Sequence, residues 1–135
     1  SPLHDGKVIL IRQFRIAVDD YVLELPAGKL EGNEDPEFRG RAELAEETGY
    51  RAGRMVPVGF TYASVGYCSE RIHLYLAFDL EPVGQNLEFD EAIEVVEMPL
   101  DEVRRRLATN AIPDAKTVVG LTRLFNHLDG TFGTP

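Results

Sequence analysis

Local signals in the sequence mark both ends of one helix. Asp35 is a preferred N-cap residue, Pro36 suits the first helical position, and Gly49 is a typical C-terminal stop. The sequence therefore predicts a helix over Pro36–Thr48.

Three carboxylates fall on one patch of this predicted helix. Glu43 lies three residues before Glu46 and four before Glu47, and these spacings place side chains next to each other. Like charges so placed repel by roughly 0.2–0.5 kcal/mol per pair. A divalent cation with oxygen ligands, such as Mg²⁺, would remove this repulsion, whereas a solvated acidic helix face would tolerate it. The spacing alone leaves both interpretations open.

The other predicted elements alternate between strands and helices. The strands are Val8–Ile11, Tyr21–Leu25, Met55–Thr61, Arg71–Leu80 and Ile93–Glu97, and the helices are Leu100–Leu107 and Asp114–Leu128. Alternation in the fourth strand predicts one apolar side formed by Ile72, Leu74, Leu76 and Phe78. Helical spacing in the last helix predicts a core-facing stripe of Val118, Leu121, Leu124, Phe125 and Leu128. This order predicts an α/β fold in which helices pack on a mixed sheet.

Composition narrows the class of protein. With 135 residues, 44% hydrophobic and 27% charged, the chain is predicted to form a single domain over 1–135. Acidic residues outnumber basic ones by 23 to 14, and the net charge of −9 argues against nucleic acid as a partner. No run of about 18 apolar residues occurs, so no membrane span is expected. The single cysteine, Cys68, cannot form an internal disulfide, which favours a cytoplasmic location.

The helix and the segment before it resemble a known family motif. The matching positions, in fixed spacing, are Gly28, Glu34, Glu43, Leu44, Glu46, Glu47, Gly49 and Tyr50. This 23-residue pattern is similar to the Nudix box. The resemblance implies an α/β/α sandwich around a central mixed β-sheet. It also implies a Mg²⁺ site, with Mn²⁺ as a possible substitute, whose ligands are the Ala27 carbonyl, Glu43, Glu46 and Glu47. Glu46 and Glu47 are also the expected catalytic carboxylates.

One position of the box differs from the family pattern. The family has arginine immediately before the first helix glutamate, where it holds the earlier glutamate, here Glu34. This chain has Ala42 there, and Arg41 and Arg39 are the candidates to replace the missing guanidinium.

Flanking residues resemble the ADP-ribose pyrophosphatase branch of the family. The stretches 12–15 and 23–28 look like that branch's approach to the box. By this resemblance Arg15, Glu70 and Gly28 bind the substrate, although Arg15 could be a solvent-facing turn residue and Glu70 a strand-edge charge. Val65 stands where the branch usually has proline. A late loop often supplies the general base, and here Glu91 is the first candidate and Glu88 the second.

The implied reaction is Mg²⁺-dependent hydrolysis of a nucleoside diphosphate derivative, ADP-ribose to AMP and ribose 5-phosphate. Cations would let an anionic diphosphate approach the seven carboxylates between Glu31 and Tyr50. Nucleotide sugars, dinucleoside polyphosphates and nucleoside triphosphates are alternative substrates, and a non-catalytic nucleotide-binding module is the alternative class. Members of this branch usually have an additional N-terminal segment that helps to form a dimer. The present sequence starts almost at its first strand and is therefore expected to be a fragment or a minimal version. The resemblance to the branch also makes a homodimer possible.

Overall fold

The structure, a computed structural model, describes residues 1–30, 32–84 and 93–130. Its elements are β1 (Leu3–His4), β2 (Lys7–Arg15), a short 3-10 helix (Ile16–Val18), β3 (Asp20–Glu24), α1 (Pro36–Thr48), β4 (Tyr50–Tyr62), β5 (Arg71–Pro82), β6 (Ile93–Pro99), α2 (Leu100–Ala108) and α3 (Ala115–Leu128). Every predicted strand and helix overlaps one of these. β2 and β4 are longer than predicted, because antiparallel pairing continues through polar residues that carry no apolar pattern.

The strands form two antiparallel groups joined by a parallel contact. β2 pairs with β1, β3 and β6, while β4 pairs with β5. Pro2 forms a parallel bridge with Ala77 of β5, next to a hydrogen bond from Ala77 N to the Ser1 carbonyl at 3.0 Å. Two antiparallel sheets thus meet through a parallel bridge, in keeping with the predicted mixed strand arrangement.

Helices cover both faces of the strands. On one face Val8 and Leu10 of β2 share a buried cluster with Leu121 and Leu124 of α3. On the other face Ile9 shares a second cluster, which contains Leu44 of α1 and Ala77 of β5. Alternate residues of β2 thus face opposite layers, as the two-residue period of a strand requires. The predicted α/β/α sandwich is confirmed.

α1 begins and ends at the predicted residues. The Asp35 carboxylate accepts a hydrogen bond from Phe38 N at 3.3 Å, and Pro36 occupies the first turn. Gly49 adopts φ 76° at the C-terminus, a left-handed conformation that glycine adopts without steric cost. The N-cap and the C-terminal glycine thus set the first and last residues of the acidic helix.

The buried face of α3 differs from the predicted stripe. Leu121, Leu124 and Phe125 are buried as expected, but Val118 and Leu128 are 37% and 41% exposed, so their assignment to the core was wrong. Small residues on the adjacent side are buried instead: Thr117 and Gly120. A Cβ at Gly120 would collide with the Leu25 side chain. Because α3 packs so closely on Leu25, its buried face lies on the side of Thr117 and Gly120.

None of the helices in the described part of the chain has the length and hydrophobicity that a membrane span requires.

Candidate active site

A cavity of about 740 Å³ opens between the segment after β3, the acidic helix α1 and the first half of β5. Five predicted site residues line it: Arg15, Ala27, Gly28, Glu47 and Glu70. Glu43 and Glu46 are not among the lining residues of the described chain. The structure thus brings together predicted groups from separate parts of the chain.

The Glu47 side chain is hydrogen-bonded to the main chain of the segment after β3. Ala27 N donates a hydrogen bond to Oε2 of Glu47 at 3.0 Å. Burial raises the pKa of Glu47 to about 8, with a further contribution from the charge of Glu43. The protein around Glu47 therefore disfavours the ionised carboxylate, and a bound cation would favour it.

Gly28 packs directly against Glu43. A Cβ at position 28 would collide with Cγ, Cδ and Oε1 of Glu43, so any larger residue there would displace the Glu43 side chain. Burial raises the pKa of Glu43, and the charge of Glu46 acts in the same direction. Gly28 has a clear packing role, and its contact with substrate stays a prediction.

Arg39 takes the place of the missing arginine at Ala42. Its guanidinium donates to both carboxylate oxygens of Glu34, from Nε at 3.2 Å and from Nη2, and its Nη1 lies 3.3 Å from Oε1 of Glu43. Arg39 precedes position 42 by three residues, which on a helix leaves it only about 60° away around the axis. Arg41 instead bonds Glu37 at 3.2 Å and the Ala52 carbonyl at 2.7 Å.

An ionic network around the buried carboxylate of Glu24 supports Arg15 and was not predicted from the sequence. Nε and Nη2 of Arg15 each donate to Glu24 at 2.8 Å, and Lys116 Nζ donates to the same carboxylate at 2.7 Å. Burial opposes ionisation of Glu24, but the hydrogen bonds from Arg15 and Lys116 outweigh it and lower its pKa. The available signal was the single carboxylate, Glu24, within the otherwise apolar predicted strand Tyr21–Leu25, but nothing local identified its partners.

Glu70 and the start of β5 form the outer part of the cavity wall. The Glu70 side chain is exposed, and its carbonyl accepts a hydrogen bond from Ala63 N at 2.9 Å. Arg71, His73 and Tyr75 also line the cavity, although sequence reasoning gave them no role. The alternation of β5, which places His73 and Tyr75 opposite its apolar side, was the signal for them.

A family model described as NUDIX domain matches residues 2–119. The chain belongs to the Nudix family. The first helix and the segment before it are therefore its Nudix box, with Arg39 in the role that Ala42 cannot fill.

Individual Nudix relatives cover most of the chain. An ADP-ribose pyrophosphatase of Bacillus subtilis (strain 168) is 36% identical over 122 residues, which are 89% of this chain and 66% of the relative. A GDP-mannose pyrophosphatase of Cronobacter sakazakii (strain ATCC BAA-894) is 42% identical over 127 residues, 87% of this chain and 65% of the relative. A crystal structure of an ADP compounds hydrolase matches with a TM-score of 0.80 at 26% identity, covering 96% of this chain and 71% of that one. The chain spans about two thirds of the length of these curated relatives.

Nudix hydrolases generally use a divalent metal, and the donor chemistry of this box fits one. Carboxylates and a main-chain carbonyl are the oxygen ligands that Mg²⁺ prefers. Burial first, and neighbouring carboxylates second, raise the pKa values of Glu43 and Glu47, and a bound cation would favour their ionised forms. In the described residues no three or more His, Cys, Asp or Glu side chains are arranged to hold an ion. Glu43 faces Arg39, and Glu46 is exposed. The ligand assignment of Ala27, Glu43, Glu46 and Glu47 stays a prediction.

The predicted general bases of this Nudix chain, Glu91 and Glu88, lie outside the described residues. Their assignment also stays a prediction.

Proposed function

We propose that this chain hydrolyses the diphosphate bond of a nucleoside diphosphate derivative with the help of Mg²⁺ or Mn²⁺. The observation that supports this best is a single cavity lined by both Arg15 and the partly buried Glu47. Arg15 offers a forked set of donors to a phosphate, while Glu47 offers carboxylate oxygens to a cation. A diphosphate carrying a divalent cation satisfies both groups at once.

Each group of the chain then has a distinct task. Glu43, Glu46, Glu47 and the Ala27 carbonyl hold the cation, which when bound polarises phosphoryl oxygens and lowers the pKa of water. Arg15 orients the diphosphate through its N–H donors, and Glu70 contacts the substrate from the outer wall. Glu91, or Glu88 in its place, accepts the proton of the attacking water.

ADP-ribose is the first proposed substrate and a nucleotide sugar is the second. The Bacillus subtilis relative is an ADP-ribose pyrophosphatase, whereas the Cronobacter relative is a GDP-mannose pyrophosphatase of slightly higher identity. Val65, which is 80% exposed, lies on the loop between β4 and β5 where the two specificities could diverge.

The deciding experiment compares substrates under one set of conditions. ADP-ribose, GDP-mannose, a dinucleoside polyphosphate and a nucleoside triphosphate are incubated with Mg²⁺ or Mn²⁺, with Glu47→Gln as control, and products are identified by mass spectrometry. We expect AMP and ribose 5-phosphate from ADP-ribose, and ¹⁸O from labelled water in one of these two products. Brisk cleavage of GDP-mannose alone would change the substrate but keep the reaction. Binding without cleavage of any compound would indicate a non-catalytic module.

The general base is tested separately. Glu91→Gln should slow turnover by roughly 10²–10⁴-fold, the usual range for a positioned proton acceptor. A loss of tenfold or less would transfer the role to Glu88.

We further propose a cytoplasmic homodimer. The single cysteine, Cys68, is free and exposed, in keeping with a reducing compartment. Ile16 and Val18 at the β2–β3 turn are 87% and 61% exposed, and such apolar side chains are suited to an interface. Light scattering after size-exclusion chromatography distinguishes a dimer from a monomer.

A further inference from the structure

Glu24 is a carboxylate buried almost completely beneath the candidate active site. Its side chain is 2% exposed, although it carries a charge that burial penalises. Both oxygens are used: Oε2 accepts from Arg15 Nε at 2.8 Å, and Oε1 accepts from Arg15 Nη2 at 2.8 Å and from Lys116 Nζ at 2.7 Å. The carboxylate thus makes a bidentate contact with the one arginine predicted to bind a phosphate.

Lys116, which also lines the cavity, connects Glu24 to the start of α3. Lys116 Nζ also donates to Oδ2 of Asp114 at 2.8 Å, and the Thr117 hydroxyl donates to the same oxygen at 2.6 Å. Two cations and two carboxylates therefore balance each other, and Glu24 is held from two directions. Its position cannot adjust without breaking several charged hydrogen bonds.

We propose that Glu24 is a positioning residue that fixes the Arg15 guanidinium at the cavity so that its remaining N–H donors meet a phosphate of the substrate. This inference rests on the proposed function, because it assigns Arg15 to the diphosphate.

The contact constrains an arginine that is otherwise half exposed. The Arg15 side chain is 47% exposed, and an unconstrained arginine at such a site samples many rotamers. Two parallel hydrogen bonds to a fixed carboxylate set both the position and the plane of the guanidinium. Two of its five N–H donors are used in this way, which leaves the others for a ligand. Arg15 is therefore ordered before the substrate arrives, so less conformational entropy is lost on binding.

A purely structural role for Glu24 makes a different prediction. Buried ion pairs can often be replaced without loss of the fold, so stability alone cannot separate the two roles. If Glu24 acts through Arg15, removing Glu24 should matter little once Arg15 is gone. If it only supports the fold, the two substitutions should have independent effects.

The test is a double-mutant cycle on ligand affinity. The probe is α,β-methylene-ADP with Mg²⁺, a diphosphate whose bridging carbon prevents hydrolysis, measured by isothermal titration calorimetry. Arg15→Ala and Glu24→Gln should each weaken binding by roughly 10- to 100-fold, as expected for lost charged hydrogen bonds. The double variant should bind no more weakly than Arg15→Ala alone. For ADP-ribose hydrolysis, Glu24→Gln should raise KM far more than it lowers kcat.

A matched control uses another ion pair of β2. Arg12 Nη2 contacts Oε2 of Glu94 at 2.7 Å, but both side chains are largely exposed and neither lines the cavity. Glu94→Gln should leave the affinity for the probe unchanged. If Glu24→Gln does not fold, as judged by thermal melting, Glu24→Asp replaces it in the cycle, since it keeps the charge but shortens the reach.

The outcomes separate this inference from the proposed function. Additive losses in the double variant, or an affinity that Arg15→Ala does not change, would overturn the positioning role even if ADP-ribose is hydrolysed. Coupled losses in a protein that cleaves no substrate would support the positioning role and reject the proposed function. A wild-type protein that fails to bind the probe would overturn the positioning role as well.

Discussion

Replacing Thr117 by valine should destabilise the protein far more than its small chemical change suggests. Thr117 is fully buried at the start of α3, and its hydroxyl bridges two elements. It accepts a hydrogen bond from Leu25 N at 2.9 Å and donates one to Oδ2 of Asp114 at 2.6 Å. Valine keeps the shape of the side chain but removes both bonds.

The expected cost follows from what each partner loses. Leu25 N becomes a buried donor without an acceptor, which costs about 1–3 kcal/mol, and Asp114 loses one of its charged hydrogen bonds. We expect the free energy of unfolding to fall by about 2–4 kcal/mol. With an unfolding entropy of about 2.1 cal/mol/K per residue, the melting temperature should fall by about 7–14 °C.

Urea denaturation and calorimetry measure this loss, and Thr122→Val is the matched control. Thr122 lies on the same helix, but it is exposed, and within the part of the chain that the structure describes its hydroxyl donates to the Val118 carbonyl alone, at 2.7 Å. The control should change stability by about 0.5 kcal/mol or less. Equal effects of the two substitutions would refute the reasoning, because they would show that the buried bridge contributes nothing beyond helix propensity.

Three further predictions concern charged groups of the site. The pKa of Glu24 in the folded protein is lowered, so the stability that this carboxylate confers is present above its ordinary pKa of 4.5 and is lost as the pH falls through the folded-state pKa. Thermal melts from pH 3 to 6 should therefore show the wild type losing its stability advantage over Glu24→Gln as the pH falls. Glu47→Gln should abolish most turnover at limiting Mg²⁺. It should also reduce the rise in melting temperature that millimolar Mg²⁺ or Mn²⁺ produces in the wild type. Normal turnover and an unchanged metal response would reject Glu47 as a ligand. Arg39→Ala should lower activity, because Arg39 donates hydrogen bonds to the Glu34 carboxylate. Ala42→Arg should leave kcat/KM nearly unchanged, since that carboxylate already has its arginine. A clear gain in kcat/KM from Ala42→Arg would contradict the assignment of Arg39.

Features with local signals were predictable from the sequence. The bounds of α1 depend on Asp35, Pro36 and Gly49, which act within one helical turn of each end, so the predicted range agrees with the structure. The apolar side of β5 was also predicted, because the two-residue period depends only on the strand itself. The buried face of α3 was misjudged at Val118, because close approach to Leu25 favours Thr117 and Gly120 there. That contact lies more than 90 residues away along the chain.

The ionic network under the site shows where such reasoning ends. In the antiparallel register Arg15 lies opposite Asp20, while Glu24 lies opposite Ile11. A prediction from strand pairing would therefore join Arg15 to Asp20, yet its guanidinium extends along the sheet to Glu24. Lys116 makes that choice favourable, because a second cation offsets the cost of burying the carboxylate. Lys116 is 92 residues from Glu24, so the selection of Arg15's partner is a property of the assembled fold and not of either strand.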